Sequence, residues 1–96
     1  MSIYKSQIKD FKEGINVKGF YLCKKLANKI TRLGDPYLDL VLEDESGGIR
    51  AKIWNFSDVY KDMFAKGDPV AVKGVIIKYN NYLEIDILYI NKIKNN

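Results

Sequence analysis

The chain has 96 residues, a formal net charge of +4 and 47% hydrophobic side chains, which predicts one globular domain with a modest core rather than a disordered chain. No apolar run reaches the roughly 18 residues of a membrane span, and lysines interrupt the start of the chain, so a cytoplasmic protein with no signal peptide and no membrane partner is expected. The chain has no histidine and a single cysteine, Cys23, which argues against a disulfide, a Ser/His/Asp triad and the common transition-metal sites, and predicts a non-catalytic domain with neither metal nor cofactor.

The first third of the chain contains a lead-in segment and one long strand. Residues 1–14 are predicted to be a short helix or an extended chain that ends at Gly14, and residues 15–31 are predicted to form the strand. The alternation of polar and apolar side chains slips at Lys24 and Lys25. A slip in a long strand indicates a bulge or a bend, by which one strand serves both sides of a small barrel.

Residues 36–54 are predicted to form an antiparallel hairpin around which the rest of the chain is organised. Apolar side chains recur with period two on both sides of the polar turn at 44–47, which is typical of two strands with one buried face. An exposed sheet face that carries aromatic and cationic side chains can stack bases and attract phosphates. The free face of this hairpin carries Tyr37, Arg50, Lys52 and Trp54, beside Asp39 and Val41.

Residues 55–68 are predicted to contain a short helix between the third and fourth strands. Ser57 is a suitable N-cap, and Lys66 followed by Gly67 gives a C-terminal signal. An apolar stripe on such a helix is expected to contact the core rather than a ligand. Its members are Phe56, Val59, Tyr60, Met63 and Phe64.

Residues 69–79 and 82–93 are predicted to form a second hairpin across Asn80 and Asn81, which both tolerate the positive φ of a two-residue turn. In the last strand Leu83, Ile85 and Ile87 are expected on one face, and Tyr82, Glu84 and Asp86 on the other. Residues 94–96 are a polar tail. Five strands, with one short helix between strands 3 and 4, predict an all-β fold, the five-stranded Greek-key barrel called the OB-fold, over residues 15–93 of a single domain.

Three motifs lie along the central stretch, namely Thr31-x-x-Gly34-x-Pro36-Tyr37-Leu38, Asp44-x-x-Gly47 and Ala51-Lys52-x-Trp54. A later run has Lys66-Gly67-Asp68 followed by Val70, Val72 and Gly74. Together these residues resemble the OB-fold nucleic-acid-binding module of the tRNA-anticodon type. They are most similar to the N-terminal OB domain of bacterial HD-domain 3′→5′ exoribonucleases, and the resemblance spans residues 8–93.

The resemblance implies that single-stranded RNA or DNA contacts the second and third strands, at Tyr37, Arg50, Lys52 and Trp54. The HD domain of that family holds metal through His and Asp side chains, and this chain has no histidine. The chain would then be the substrate-binding domain of a longer HD protein, or else a free-standing OB protein. OB modules also bind through the loops after the first and fourth strands, and the candidates there are Lys29, Arg32, Lys78 and Tyr79.

Each candidate also has a purely structural interpretation. Trp54, at the end of its strand, would pack against the core or the predicted helix, and the cations would pair with Asp39 or Glu43 across the hairpin. The leading hypothesis is a binder of single-stranded nucleic acid, RNA rather than DNA, with little sequence preference. The alternative is an OB module that docks a protein or oligomerises without contacting nucleic acid.

Overall fold

The described part of the computed structural model, residues 7–54 and 63–93, is a closed barrel. Around the barrel the strands run in the order β1–β2–β3–β5–β4. β3 and β5 pair in parallel, and every other neighbouring pair is antiparallel. After a 3-10 helix, Ile8–Asp10, come the strands β1 (Asn16–Ile30), β2 (Pro36–Asp44), β3 (Gly47–Trp54), β4 (Pro69–Tyr79) and β5 (Tyr82–Lys92).

This architecture confirms the predicted all-β, five-stranded barrel and both of its hairpins. The chain closes the barrel by returning β4 to the side of β1, so that β5 lies between β4 and β3. Closure removes the open sheet edges that would otherwise pair with other chains. Within the two described ranges, no helix is long and apolar enough to cross a membrane.

The long first strand bends at the predicted position. Its first half, up to Leu22, pairs with β4, and its second half pairs with β2. The register with β2 shifts between Cys23 and Lys25, so Lys24 is the extra residue of a β-bulge. A bulge bends its strand and increases the local twist, which lets β1 belong to both sides of the barrel.

Both hairpin turns follow the sequence signals. In the first, Asp44 pairs with Gly47, which leaves a two-residue turn. In the second, Asn80 and Asn81 adopt φ values of 50° and 67°. Positive φ at both central residues suits the right-handed twist of the flanking strands, so this part of the prediction is confirmed.

The core is filled by the period-two side chains of the strands, with Leu38, Leu40, Leu42 and Ile85 all essentially inaccessible to solvent. The single cysteine, Cys23, is fully buried among them. Burial, with a smaller effect from the charge of Asp68, raises the pKa of its thiol to about 11. Cys23 is therefore a small apolar core residue in its chemistry.

The predicted helix between β3 and β4 needs correction where the structure describes it. Residues 55–62, with Phe56, Ser57, Val59 and Tyr60, lie outside the described residues. Residues 63–68 form turns and not the end of a helix.

The physical reason is that this turn is anchored to β1. The Gly67 amide donates to the Cys23 carbonyl, and the Cys23 amide donates to the Asp68 carbonyl. The Asp68 carboxylate in turn accepts a hydrogen bond from the Ala65 amide. Phe64 is buried in the core, so the expected core contact of this apolar residue is confirmed without a helix.

The 3-10 helix at Ile8–Asp10 packs against the barrel core. Ile8 and Phe11 are buried. The Ile8 amide donates to Asp44 Oδ2 over 2.9 Å, and the amide and hydroxyl of Ser46 donate to Asp44 Oδ1 over 2.7 and 2.6 Å. Burial disfavours the charged carboxylate, but these hydrogen bonds outweigh it and hold the pKa of Asp44 below its ordinary value.

Asp44→Asn is expected to lower the free energy of unfolding near neutral pH by about 1–2 kcal/mol, because an amide oxygen accepts these bonds more weakly than a carboxylate. Since the folded pKa of Asp44 is depressed, its contribution is present above about pH 4 and is lost as the pH falls through the folded value. Urea unfolding at about pH 7 and about pH 2.5 should therefore show the two proteins converging in acid.

Asp10→Asn is the matched control for this experiment. Asp10 is exposed, and its carboxylate accepts no hydrogen bond from another described residue. Equal stabilities of Asp44→Asn and the wild type at both pH values would contradict the assigned role of Asp44.

Candidate nucleic-acid interface

The outer face of the β2–β3 hairpin carries the side chains that the sequence singled out. Residues directly opposite each other are Tyr37 and Trp54, Asp39 and Lys52, and Val41 and Arg50. The intervening residues are buried on the inner face. The register therefore confirms the predicted hairpin and the predicted division of its two faces.

Tyr37 and Trp54 form a stacked pair on this face. Their ring centroids lie 4.7 Å apart with an interplanar angle of 29°. The Trp54 side chain is 41% exposed, whereas Tyr37 is half-buried beneath it. Of the two interpretations of Trp54, the structure favours the outer face over the core, and the outer surface of the indole is open to a further planar group.

Lys52 lies beside this pair but is not a free cation. Its Nζ atom is 3.3 Å from Oε1 of Glu84 on β5, and the two side chains are only 15% and 4% exposed. The sequence offered Asp39 or Glu43 as structural partners, and neither is the partner of Lys52. Lys52 is thus an ion-paired residue, but its partner lies on β5 rather than across the hairpin.

Asp39 and Glu43 are instead engaged by lysines of β1. Lys29 contacts Asp39 over 2.9 Å, and Lys24 contacts Glu43 over 3.3 Å. The hydrogen bond with Asp39, together with its charge, raises the pKa of Lys29. Lys29 was expected in the loop after the first strand. It lies within β1, because that strand continues to Ile30 in register with β2.

The remaining candidates divide between the interface and its surroundings. Arg50 is exposed on the same face as Trp54, and Arg32 is exposed in the turn between β1 and β2. Tyr79 is 54% exposed at the end of β4. Its ring centroid is 4.5 Å from the Lys52 ammonium. Neighbouring Lys78 is exposed but points to the other side of its strand, since successive side chains alternate.

The structure therefore brings Tyr37, Trp54 and Tyr79 together around Lys52, and we call these three rings the aromatic cluster. Lys52 Nζ is 5.8 Å from the ring centroids of both Tyr37 and Trp54. A groove of about 700 Å³ continues from the cluster, between the two hairpin turns. Its lining includes Arg50, Tyr79, Tyr82 and Glu84.

Sequence reasoning missed Glu84 as part of the site. The alternation placed it correctly on the outer face of β5, but it is 3% exposed, because it lies under Lys52 at the β3–β5 seam. An acidic residue between two apolar neighbours is the one signal that the sequence offered. Within residues 7–54 and 63–93, no three acidic, Cys or His side chains gather as they would around a metal ion.

Comparison with known proteins identifies the same architecture. The family model for the tRNA anti-codon type of OB-fold nucleic acid binding domain matches residues 15–93. A crystal structure of a domain of replication protein A from Methanococcus maripaludis is 22% identical, with a TM-score of 0.77, over 96% of this chain and 98% of that chain.

Two further solved structures extend the comparison. Asparaginyl-tRNA synthetase from Entamoeba histolytica is 12% identical, with a TM-score of 0.78, over 98% of this chain and 24% of that chain. A replication protein A heterotrimer bound to single-stranded DNA contains a chain that is 15% identical, with a TM-score of 0.67, over 88% of this chain and 62% of that chain. At these identities the likeness to solved structures establishes the fold alone.

Proposed function

The chain belongs to the OB-fold nucleic acid binding domain family, and on that premise we propose that it binds single-stranded nucleic acid, RNA in preference to DNA, with little sequence preference. The observation that supports this most is the exposed stack of Trp54 on Tyr37, beside Arg50 on the same face. Base–aromatic stacking tolerates every base because each has a π-face. Arginine supplies the charge that draws the phosphate backbone to the surface.

The preference for RNA has a narrower basis. It rests on the resemblance of residues 8–93 to the OB domains of HD-domain exoribonucleases. On this proposal the chain presents RNA to a catalytic HD domain of a longer protein and is itself non-catalytic. Tighter binding of oligo-rU than of oligo-dT would support the preference for RNA, and equal affinity for the two would contradict it.

Titration of the protein with single-stranded oligo-rU or oligo-dT is expected to quench the fluorescence of Trp54, because a base stacks on the indole. Trp54 is the only tryptophan, so the signal reports on this face alone. The quenching should require more oligonucleotide as salt rises. If about three phosphates are neutralised, affinity falls roughly 20-fold between about 50 and about 200 mM salt.

Anisotropy of a labelled oligonucleotide on the same sample serves as the control. A change in anisotropy without quenching would mean that nucleic acid binds away from Trp54. The absence of both signals, with the protein shown to be folded by circular dichroism, would reject nucleic-acid binding.

A protein-docking or oligomerising module is the second candidate. It is favoured by exposed apolar side chains on β1 and β5, where Phe20 is 73%, Leu88 66% and Tyr89 47% exposed. Association through such apolar surface should survive high salt, whereas phosphate binding should not. Sedimentation of the protein alone at low and high salt tests self-association, and an oligomer that persists at high salt would favour this second candidate.

A further inference from the structure

We propose that Lys52 is a positioning residue, which Glu84 holds in place so that its ammonium joins Tyr37, Trp54 and Tyr79 into one base-stacking surface, and that it does not bind phosphate itself. This inference deepens the proposed function and rests on it for the identity of the ligand. It assigns different tasks to the two cations of β3. Lys52 arranges the rings, and Arg50 contacts the backbone of the nucleic acid.

The first observation is that the charge of Lys52 is already neutralised. Its ammonium lies 3.3 Å from a carboxylate whose side chain is only 4% exposed. Moving Lys52 to a phosphate would leave the Glu84 carboxylate buried and unpaired, which is strongly unfavourable. Arg50 differs, since it is exposed and makes no ion pair with another described residue.

The second observation concerns how the three rings are connected. Tyr37 and Trp54 lie on paired strands and face each other directly. Tyr79 lies on β4, which does not pair with β3 because β5 runs between them. The Lys52 side chain spans that gap. Its ammonium is within about 6 Å of all three ring centroids, at 4.5, 5.8 and 5.8 Å, which is the range of a cation–π interaction.

The third observation is that Glu84 lies on the strand in between. β5 pairs with β3 over a short parallel stretch, with Arg50 opposite Glu84 and Lys52 opposite Asp86. Glu84 thus holds the ammonium over β5, between the Tyr37–Trp54 pair on one side and the ring of Tyr79 on the other. Two stacking positions result, one on the open face of Trp54 and one on Tyr79, which is 54% exposed.

This arrangement predicts that Lys52 and Arg50 act on affinity in different ways. Lys52→Met is expected to weaken the binding of labelled oligo-rU roughly tenfold, as expected from cation–π interactions that organise the rings. The log–log slope of affinity against salt should stay unchanged, because no phosphate contact is lost. Arg50→Met, the matched control on the same strand and face, should lower the magnitude of that slope by about 0.7.

Further variants separate positioning from charge and from misfolding. Lys52→Arg keeps the cation and should restore most of the affinity. Lys52→Met combined with Glu84→Gln leaves no unpaired buried charge, so it should fold and show the same loss with the same slope. Glu84→Gln alone releases Lys52, which should then reach a phosphate and steepen the slope by about 0.7.

A measurement without ligand separates failure of this inference from failure of the proposed function. In the free protein, the double variant Lys52→Met/Glu84→Gln should change the near-ultraviolet circular dichroism of the aromatic bands, and Arg50→Met should not. If these spectra behave as expected but the wild type binds no oligonucleotide, the proposed function fails and the positioning of the rings stands. Unchanged spectra, or a slope that falls by about 0.7 in Lys52→Met, would overturn the inference.

Discussion

Replacing both Tyr37 and Trp54 by alanine is expected to weaken the binding of single-stranded nucleic acid by roughly 30- to 150-fold, which corresponds to about 2–3 kcal/mol. Stacking of one base contributes about 1–3 kcal/mol, and two independent rings would contribute up to twice that. The expected loss of about 2–3 kcal/mol is smaller than the sum for two independent rings, because Tyr37 and Trp54 stack on each other. Each therefore offers at most one face to a base.

The same geometry predicts that the two substitutions are not additive. Trp54 is the more exposed ring and Tyr37 supports it from below, so Tyr37→Ala should act mainly by releasing the indole. A double-mutant cycle measured by anisotropy should then show a coupling of about 0.5–1.5 kcal/mol, the usual value of an aromatic pair. The variants should remain folded, because both rings lie outside the core.

Phe20→Ala is the matched control for the aromatic substitutions. Phe20 is 73% exposed and lies on the half of β1 that pairs with β4, away from the hairpin face. The Phe20→Ala variant should bind nucleic acid with the same affinity as the wild type. A folded Tyr37→Ala/Trp54→Ala protein with unchanged affinity would place the interface elsewhere, and an equal loss in Phe20→Ala would point to the β1–β4 side.

Gly74→Ala is expected to lower the free energy of unfolding by about 3 kcal/mol. A Cβ at this position would lie 2.6 Å from the backbone oxygen of Asp86 and 2.6 Å from Cγ2 of Ile85. Gly74 lies where the β4–β5 register shifts, with Leu88 as the extra residue opposite. The two strands approach closely there, so the backbone itself would have to move.

For a domain of this size, a loss of about 3 kcal/mol corresponds to a decrease in Tm of roughly 12–24 °C. Thermal unfolding followed by circular dichroism measures it directly. Gly48→Ala is the control, because its Cβ would lie 3.5 Å from the nearest atom, the Leu42 carbonyl oxygen. Equal Tm values for Gly48→Ala and Gly74→Ala would show that β4 and β5 can move apart at Gly74 with little loss of stability, contrary to this prediction.

Gly19→Ala provides an intermediate case. Its Cβ would lie 2.6 Å from the hydroxyl of Tyr21, which is the far end of a side chain rather than backbone. Rotation of Tyr21 can relieve that contact at the expense of its packing on Phe11, where the ring centroids are 6.2 Å apart. The decrease in Tm should therefore fall between those of the other two glycine variants.

Local patterns were sufficient to predict the strands. The alternation at 36–54 fixes which side chains face inward, because a shift of one residue would expose every leucine of β2. The slip at Lys24 and the two asparagines at 80 and 81 mark the bulge and the tight turn, since each reflects backbone geometry within a few residues. These signals need no knowledge of distant contacts.

The contacts of the charged side chains could not be predicted in the same way. The hairpin suggested Asp39 or Glu43 as partners for Lys52, because both lie on the neighbouring strand and Asp39 is directly opposite Lys52. Its actual partner, Glu84, arrives through the parallel pairing of β3 with β5, which joins segments about thirty residues apart in the sequence. Alternation reports the face on which a side chain lies, but not which strand runs beside it.

The bend in β1 also has a practical consequence for biophysical work. Cys23 is the only cysteine of the chain. It is fully buried next to the bulge, with its thiol pKa raised to about 11. A protonated, inaccessible thiol is a poor nucleophile towards maleimides or iodoacetamide. A cysteine introduced at an exposed position such as Arg32 would therefore be the one reactive thiol, and dyes or spin labels could be attached there without replacing the native residue.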